Sequence, residues 1–285
     1  GRRLVLIPLI VFLSSLSGLF LMVFLDILPR MLPSVDILRV LEPILPFVGT
    51  ILCGTTGFLL IYNVWHKREK FIKESKETAY QRGLKYGLVG IPLATSTMIH
   101  ALLPIETLLS MSPVNGLTIT LSKPLTALFL DWPAFLLNWP TVDVVLRTVC
   151  GVTFALLGFL TVRRAIQTFG VDYMAVLYLY YTEESELQEH EIYSVIRHPT
   201  YSGLVLIFLG TVFARFSVYS ILFFIIFLVG LLCHIRLVEE RELIERFGES
   251  YREYQKRVPA LIVRPSKIGV YLKFLMGRNG NDVER

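Results

Sequence analysis

Long runs without a charged side chain most constrain how this chain of 285 residues can fold. Residues 4–25, 43–65 and 86–105 contain no Asp, Glu, Lys or Arg. A helix rises ~1.5 Å per residue, so about 20 residues cross the ~30 Å hydrocarbon core of a bilayer. With 54% hydrophobic and 18% charged residues, the chain is predicted to be an all-α integral membrane protein.

Three further apolar runs bring the predicted number of transmembrane helices to about six. Residues 143–162 form a span if Arg147 snorkels toward the nearer interface, and residues 216–235 form another. The shorter run 201–214 directly precedes the last span. These two runs are therefore predicted to form a helical hairpin that turns near Arg215.

Basic residues give the predicted orientation, because cytoplasmic loops carry an excess of Lys and Arg. The segment 66–86 holds seven such residues against three acidic ones, whereas Lys123 is the single basic residue of the loop 107–142. Both termini are therefore predicted to be cytoplasmic. The sequence leaves open whether the membrane is the endoplasmic reticulum or a prokaryotic plasma membrane.

Motifs of soluble enzymes are missing from the sequence. It contains no G-x-G-x-x-G turn, P-loop, H-E-x-x-H or G-x-S-x-G elbow. Cys53, Cys150 and Cys233 lie in apolar runs without partners at metal-ligand spacing, so we expect buried thiols and neither a disulfide nor a metal site. No nucleic-acid partner is expected, and the sequence does not indicate an oligomeric state.

The chain is predicted to have three parts. Residues 1–165 hold about four spans and the long non-cytoplasmic loop 107–142, whose Trp and Phe residues indicate a segment in the membrane interface. Residues 166–265 hold a cytoplasmic connector, the hairpin and an amphipathic tail helix, in which apolar side chains recur every three or four positions. Residues 266–285 form a tail that is predicted to be partly disordered.

A polar cluster, SVIRHPTYSG, lies at the start of the hairpin. Pro199 lacks a backbone N–H and disfavours helix at the preceding residue, so a helix is predicted to begin just after His198. The free N–H groups of such a helix start would suit a carboxylate. The alternative is a juxtamembrane cap, with Arg197 on lipid phosphates and Tyr201 in an aromatic belt.

A second polar cluster, CHIRLVEERELIERFG, follows the last span. Arg236 can share a helix face with Glu239 or Glu240, which alone is typical of a surface ion pair worth under ~1 kcal/mol. A hairpin returns its two ends to one membrane face, so both clusters are predicted to converge there. Charged side chains at that depth are energetically costly and usually have a functional role. The tail helix would bring Tyr251, Tyr254 and Arg257 toward the same place if it folds over the hairpin. A solvated or lipid-facing charge is the alternative for Arg257.

The order RHPTYSG, apolar hairpin, EERELIERFGESYREYQKRVP closely resembles the isoprenylcysteine carboxyl methyltransferase family and its phospholipid methyltransferase relatives. The resemblance covers residues 185–259. It implies an integral membrane enzyme that uses S-adenosylmethionine and releases S-adenosylhomocysteine, with residues 166–265 as the catalytic region. It also implies a lipid or prenylated acceptor taken from the bilayer, with membrane lipids as neighbours.

Roles for single residues are implied by the same resemblance. The residues implied to bind the cofactor are Leu187, Tyr193, His198, Pro199, Thr200, Tyr201, Glu239 and Glu240. The candidate catalytic residues are Arg197, Arg236 and Arg257. By simple counting, Ile235 falls on the position of the family's substrate-contacting arginine, and Arg236 is one residue further on. The stretch SELQEHEIY also departs from the family's H-x-L-V-x-x-G-x-Y, since it lacks the first histidine, the valine and the glycine.

The chemistry of methyl transfer distinguishes between acceptors. A carboxylate is already ionised and needs only an arginine to orient it, whereas an amine must first lose a proton to Glu239, Glu240 or His198. We expect methyl transfer to a membrane-embedded lipid-like acceptor, with a C-terminal prenylcysteine carboxylate as first choice. The alternatives are a phospholipid amine N-methyltransferase or another methyltransferase for a small or lipid acceptor, an NADPH-dependent sterol-type reductase, and a non-catalytic lipid-binding protein of the membrane.

Overall fold

The computed structural model describes residues 2–103, 111–129, 139–170, 180 and 185–277. These residues are mostly helical and contain no strand, which confirms the all-α membrane class. Residues 130–138 of the predicted interfacial segment lie outside the described residues, and so do residues 278–285 of the tail that was predicted to be partly disordered.

The described residues form a series of α-helices. In chain order they are α1 (Arg2–Met31), α2 (Asp36–Leu41), α3 (Leu45–His66), α4 (Arg68–Glu74), α5 (Lys76–Leu102), α6 (Gly116–Ser122), α7 (Leu125–Phe129), α8 (Trp139–Phe169), α9 (Pro199–Arg215), α10 (Val218–His234), α11 (Glu240–Phe247), α12 (Glu249–Arg257) and α13 (Ile268–Leu275). Short 3-10 turns cover Glu191–Ser194 and Pro265–Lys267, and a π-helical turn covers Ile235–Glu239.

Within the described ranges, four helical segments are long and apolar enough to cross a membrane. They are Leu6–Met31, Leu45–His66, Thr141–Phe169 and Val218–Phe247. Pro199–Arg215 is apolar but shorter. The remaining predicted span lies in α5, which begins with a charged, polar stretch before its apolar part. The count of six spans stays a prediction.

The chain divides into two compact units. One unit comprises Gly1–Val64, Leu84–Thr153 and Phe208–Gly230, and the other comprises Trp65–Gly83, Phe154–Ile207 and Leu231–Arg285. All eleven candidate site residues belong to the second unit. The predicted boundaries at residues 165 and 265 stay a prediction.

Buried polar pairs join the helices of the first unit. His100 Nε2 lies 2.7 Å from Asp26 Oδ2, and Arg30 Nε donates to Glu42 Oε1 at 3.0 Å. The other Glu42 oxygen accepts a hydrogen bond from the backbone N–H of Asn115 at 2.7 Å. A buried charge without a partner is strongly destabilising, so these contacts fix which helices pack together.

The predicted hairpin is present as α9 and α10. Helix α9 begins at Pro199, as predicted, and the His198 carbonyl accepts the first helical bond, from Ser202 N at 2.9 Å. Helix α10 is capped by a reciprocal pair, in which Ser217 N donates to Ser220 Oγ and Ser220 N to Ser217 Oγ. Proline at the first position and a serine cap thus define where the two helices start.

Helices α8 and α9 touch through glycines in the second unit. A Cβ atom on Gly158 would lie 2.5 Å from the carbonyl oxygen of Gly203 and 2.8 Å from the backbone nitrogen of Ile207. Small residues at such positions let two membrane helices approach until their backbones are in contact. The close approach holds the first turns of α9 against α8.

The amphipathic tail helix is present, but it is divided in two. Gly248 separates α11 from α12 with φ 58° and ψ −127°, a conformation that favours glycine. Its N–H donates to the Ile244 carbonyl at 2.9 Å and closes the end of α11. The tail can therefore fold back on itself and bury Leu243, Tyr251 and Tyr254 in one apolar cluster.

The prediction of buried thiols is right for Cys53 and wrong for the other two cysteines. Cys150 is partly exposed and Cys233 is exposed, and all three are free. An apolar run in a membrane helix faces lipid as well as protein, so apolar neighbours in sequence do not imply burial within the protein.

Replacing Gly158 with alanine tests the contact between α8 and α9. The added methyl group would overlap the α9 backbone, and we expect a loss of about 1–3 kcal/mol in the free energy of unfolding. Gly87→Ala is the matched control, because a Cβ atom there meets nothing within 4 Å and alanine favours helix. Thermal unfolding in detergent should lower the Tm for Gly158→Ala and not for Gly87→Ala, and equal effects would contradict the assignment.

Candidate functional site

The two predicted polar clusters meet at the His198 imidazole. Its Nδ1 atom lies 3.5 Å from Glu239 Oε1, and its Nε2 atom lies 3.2 Å from Glu240 Oε1. The ring is buried, with 5% of its surface exposed. The ends of the hairpin thus converge, and one imidazole bridges two consecutive carboxylates.

A π-helical turn lies directly before these carboxylates. The Glu240 N–H donates to the Ile235 carbonyl, five residues earlier, where an α-helix would use the fourth. Such turns are rare in proteins as a whole, and those that occur are frequently found at functional sites.

Arg197 binds the end of the tail to the same cluster. Its guanidinium donates to Glu240 Oε1 at 2.5 Å, to the Gln255 carbonyl at 3.1 Å and to the Val258 carbonyl. The last two groups are carbonyls at the C-terminal end of α12, which a cation stabilises. Arg197 was predicted to be catalytic, and the structure shows its Nη atoms engaged with groups of the protein.

Backbone bonds hold His198 in place from the other side. Arg197 N donates to the Pro259 carbonyl at 2.9 Å, and His198 N donates to the Ala260 carbonyl at 3.0 Å. The Ser202 hydroxyl donates to the Leu261 carbonyl at 2.6 Å. The segment after α12 therefore runs along the start of α9, so the tail forms one wall of the site.

The upstream candidates lie close to this cluster. The Thr200 side chain hydrogen-bonds Tyr193, and burial together with the Glu239 carboxylate raises the pKa of Tyr193 above its usual range. The Tyr193 carbonyl accepts a hydrogen bond from the Tyr254 hydroxyl at 2.6 Å. Leu187 is half-buried and packs on the apolar cluster formed by Leu243, Tyr251, Tyr254 and Val258.

Aromatic rings cover one side of His198. The Tyr201 ring stacks on His198 with centroids 5.9 Å apart, and it meets the His234 ring edge to face at 6.1 Å. Tyr201 also lies beside the Glu239 carboxylate. Sequence reasoning missed His234 as a neighbour of the site, because residues 234 and 239 share no face of a regular α-helix.

Two of the candidate arginines lie apart from this cluster. Arg236 is exposed, and Arg257 has 62% of its side chain exposed while Nη2 pairs with Glu189 Oε2 at 2.6 Å. None of the hydrogen bonds or ion pairs of the described residues joins them to His198 or Glu239. Their catalytic roles stay predictions.

The carboxylates decide the charge of His198. Burial disfavours the imidazolium form, but Glu239 and then Glu240 outweigh it and raise the pKa of His198 to about 9. At neutral pH the ring is therefore protonated and cannot accept another proton. It serves as a fixed cation that holds two carboxylates at one place.

One buried oxygen of the cluster is left over. Glu239 Oε2 accepts no hydrogen bond from the residues that the structure describes. Buried polar atoms nearly always have a partner, so this oxygen is suited to a cationic or hydrogen-bonding ligand. Within the same described ranges, no group of three or more His, Cys, Asp or Glu side chains is arranged to hold a metal ion.

The raised pKa of His198 makes stability depend on pH. Its folded pKa of about 9 exceeds the ordinary 6.5, so the stabilisation is complete below pH 6.5 and is lost as the pH rises through about 9. The Tm in detergent should fall between pH 6.5 and 9 for the wild type. His198→Gln should show a smaller fall over that window, and parallel curves would contradict the assigned charge.

The chain is similar to membrane methyltransferases over part of its length. Residues 146–250 match the family model described as phospholipid methyltransferase. Protein-S-isoprenylcysteine O-methyltransferase B of Arabidopsis thaliana is 29% identical over 110 residues, which are 39% of this chain and 56% of that protein. The protein-S-isoprenylcysteine O-methyltransferase of Schizosaccharomyces pombe is 29% identical over 131 residues, which are 46% and 54% of the two chains.

A third relative is named for a different activity. The methanethiol S-methyltransferase of Pseudomonas deceptionensis is 37% identical over 71 residues, which are 25% of this chain and 26% of that protein. The chain thus spans little more than half the length of the isoprenylcysteine relatives. No solved structure matches it. Residues 146–250, which include His198, Glu239 and Glu240, are thus the part of the chain that is similar to phospholipid methyltransferases and isoprenylcysteine methyltransferases.

Proposed function

We propose that this protein transfers a methyl group from S-adenosylmethionine to a lipid-like acceptor in the membrane. The observation that carries the proposal is the buried His198 imidazole held between Glu239 and Glu240 inside the family-matched region. The preferred acceptor is a C-terminal prenylcysteine carboxylate, which would become a methyl ester. Two relatives bear names with this activity.

The residues at the site fit the cofactor chemically. S-Adenosylmethionine supplies an electrophilic methyl group on a sulfonium when it is bound. The free Glu239 oxygen suits an ammonium or hydroxyl group, and the face of the Tyr201 ring suits a cation. His198, Pro199, Thr200, Tyr193 and Leu187 stay predicted as further parts of the cofactor site.

The ion cluster supports catalysis by position rather than by proton transfer. Arg197 and His198 fix Glu240, and His198 also fixes Glu239, so the carboxylates need no rearrangement when a ligand arrives. Dipoles and charges arranged in advance supply much of the acceleration in many enzymes. Alignment of the reacting atoms supplies a further large part.

These contacts favour an acceptor that is ionised before it binds. His198 is protonated at neutral pH, Glu240 is engaged by two cations and Glu239 pairs with His198, so none of the three groups is a ready base. A carboxylate needs no base, whereas an amine does. The relative named methanethiol S-methyltransferase makes a thiol the second candidate acceptor.

The proposed membrane arrangement follows from the charge pattern. Both termini would be cytoplasmic, in the endoplasmic reticulum or a prokaryotic plasma membrane. The cofactor would then enter from the cytoplasm and the acceptor from the bilayer. Exposed Arg236, in the π-helical turn within the Val218–Phe247 segment, is the residue proposed to orient the acceptor carboxylate.

Two rival functions make different predictions. A sterol-type reductase would need cations for the extra phosphate of NADPH, and the paired Glu239 and Glu240 disfavour that group. A non-catalytic lipid-binding protein would show no turnover with any acceptor. Titration of the purified protein with NADPH and with S-adenosylmethionine distinguishes a reductase from a methyltransferase. A methyl-transfer assay against a prenylated cysteine, phosphatidylethanolamine and a small thiol distinguishes the possible acceptors, and it also distinguishes an enzyme from a non-catalytic lipid-binding protein.

Cofactor binding should depend on the ion cluster. Isothermal titration in detergent should show that the wild type binds S-adenosylhomocysteine, and that His198→Ala and Glu239→Gln bind it at least about tenfold more weakly, since each breaks a buried charged contact. Arg241→Ala is the control, because Arg241 is 76% exposed and pairs with Glu245 at the surface. A wild type that binds neither the cofactor nor its product would refute the proposed function.

Arg236 and Arg257, which lie apart from the His198 cluster, should affect the use of the acceptor and not the affinity for the cofactor. Arg236→Ala and Arg257→Ala should keep the affinity for S-adenosylhomocysteine and lower kcat/KM for a prenylated cysteine by about tenfold or more, because each removes a cation that can orient a carboxylate. Equal losses in cofactor affinity and in methyl transfer would contradict this division of roles.

A further inference from the structure

Helix α13 carries apolar side chains on two opposite faces. Tyr271 and Phe274 are buried in an apolar cluster on the side that packs on the protein. Ile268, Leu272 and the following Met276 recur every four residues on the other side, and they are 47%, 41% and 69% exposed. A helix that is apolar all round is normally covered on every side, so the stripe formed by residues 268, 272 and 276 points to a covering surface.

The buried side of α13 is attached to the end of a membrane-spanning segment. The Tyr271 hydroxyl and Thr161 Oγ1 of α8 form a buried hydrogen bond. Arg163 and Arg164 lie two and three residues after Thr161, within the segment Thr141–Phe169, and they end its long apolar stretch. Basic residues at the end of an apolar span lie at the headgroup level, so the attachment places α13 at the membrane interface.

The charge around α13 has one sign. From residue 254 to residue 281 the sequence contains six basic residues and no acidic residue. Lys267 is exposed directly before the helix, and Lys273 is half-buried beside Leu272 at the edge of the exposed stripe. Within the described ranges, no ion pair involves Lys267 or Lys273. The positive charge is therefore available for an anionic ligand.

A phospholipid has the chemistry that matches both features of this surface. Its acyl chains can cover the apolar stripe, and an anionic headgroup can bind the neighbouring lysines, whose long stems reach past the apolar side chains. Clusters of Lys and Arg near a bilayer attract anionic lipids more strongly than zwitterionic ones. A protein partner would have to reach the same membrane depth.

We infer that the exposed face of α13 is a binding site for an anionic phospholipid. Lys267 and Lys273 bind the negatively charged headgroup, and the stripe of residues 268, 272 and 276 contacts the acyl chains. This inference goes beyond the proposed function, because it requires neither the methyl donor nor the acceptor.

The test compares an anionic with a zwitterionic lipid. Native mass spectrometry of the intact protein in detergent, titrated with phosphatidylglycerol or with phosphatidylcholine, measures the affinity for each. The wild type should bind phosphatidylglycerol about tenfold more tightly than phosphatidylcholine. The double variant Lys267→Gln/Lys273→Gln should lose this preference, because it removes two cations that attract a negatively charged headgroup.

The matched control removes the same charge from another helix. Lys70 and Lys73 are exposed on α4, where Glu69 and Glu74 are their neighbours in sequence. Lys70→Gln/Lys73→Gln should keep the preference for phosphatidylglycerol. The same loss of preference in this control would overturn the inference, since the attraction would then belong to the whole surface of the protein.

A second variant tests the apolar stripe. Ile268→Ser/Leu272→Ser should weaken the binding of both lipids about equally, because the acyl chains are common to both, and it should leave the Tm without added lipid unchanged, since both side chains point away from the protein. Equal affinities of the wild type for the two lipids would overturn the inference. A wild-type dimer that Ile268→Ser/Leu272→Ser dissociates would also overturn it, because a second copy of the chain would then cover the stripe. Either result would leave the proposed methyl transfer intact.

Discussion

A buried imidazole remains charged only where carboxylates outweigh the loss of water, and His198 meets that condition through Glu239 and Glu240. Arg197 adds a second cation to Glu240. Because an unpaired charge in this place would be strongly destabilising, the four side chains hold one another in a fixed arrangement. Arg197 and His198 directly precede α9, and Glu239 and Glu240 lie where the π-helical turn meets α11, so both ends of the hairpin depend on the cluster.

The surrounding fold supplies what the cluster needs. The backbone after α12 bonds Arg197 and His198 directly, and Gly248 gives the sharp turn that folds the tail onto itself. Gly158 brings α8 against α9 behind the site. Helix packing, a glycine turn and backbone hydrogen bonds therefore limit the positions that His198 can take, which is the arrangement expected of a site organised before its ligand binds.

Much of this site could be predicted from residue order alone. Pro199 set the start of α9, the apolar runs set the hairpin, and the hairpin brought SVIRHPTYSG and the EERE stretch together. The direction of individual side chains could not be predicted. The π-helical turn changes the register by one residue, so His234 joins the site while Arg236 is exposed. Arg257 was expected near the cluster and pairs with Glu189 instead, because long cations bind whichever carboxylate the folded tail brings near.

The sequence by itself determined the membrane class, the hairpin and the residue types of the site, because apolar run length and proline act locally along the chain. The tertiary structure decided which charges pair and which polar atoms remain without a partner. Tyr251 and Tyr254 lie three residues apart on one helix, and the sequence does not distinguish their hydroxyls. In the folded protein the Tyr193 carbonyl accepts a hydrogen bond from the Tyr254 hydroxyl and not from the Tyr251 hydroxyl. Hydrogen bonds act over about 3 Å, and contacts of that length between distant residues are set by packing rather than by sequence spacing.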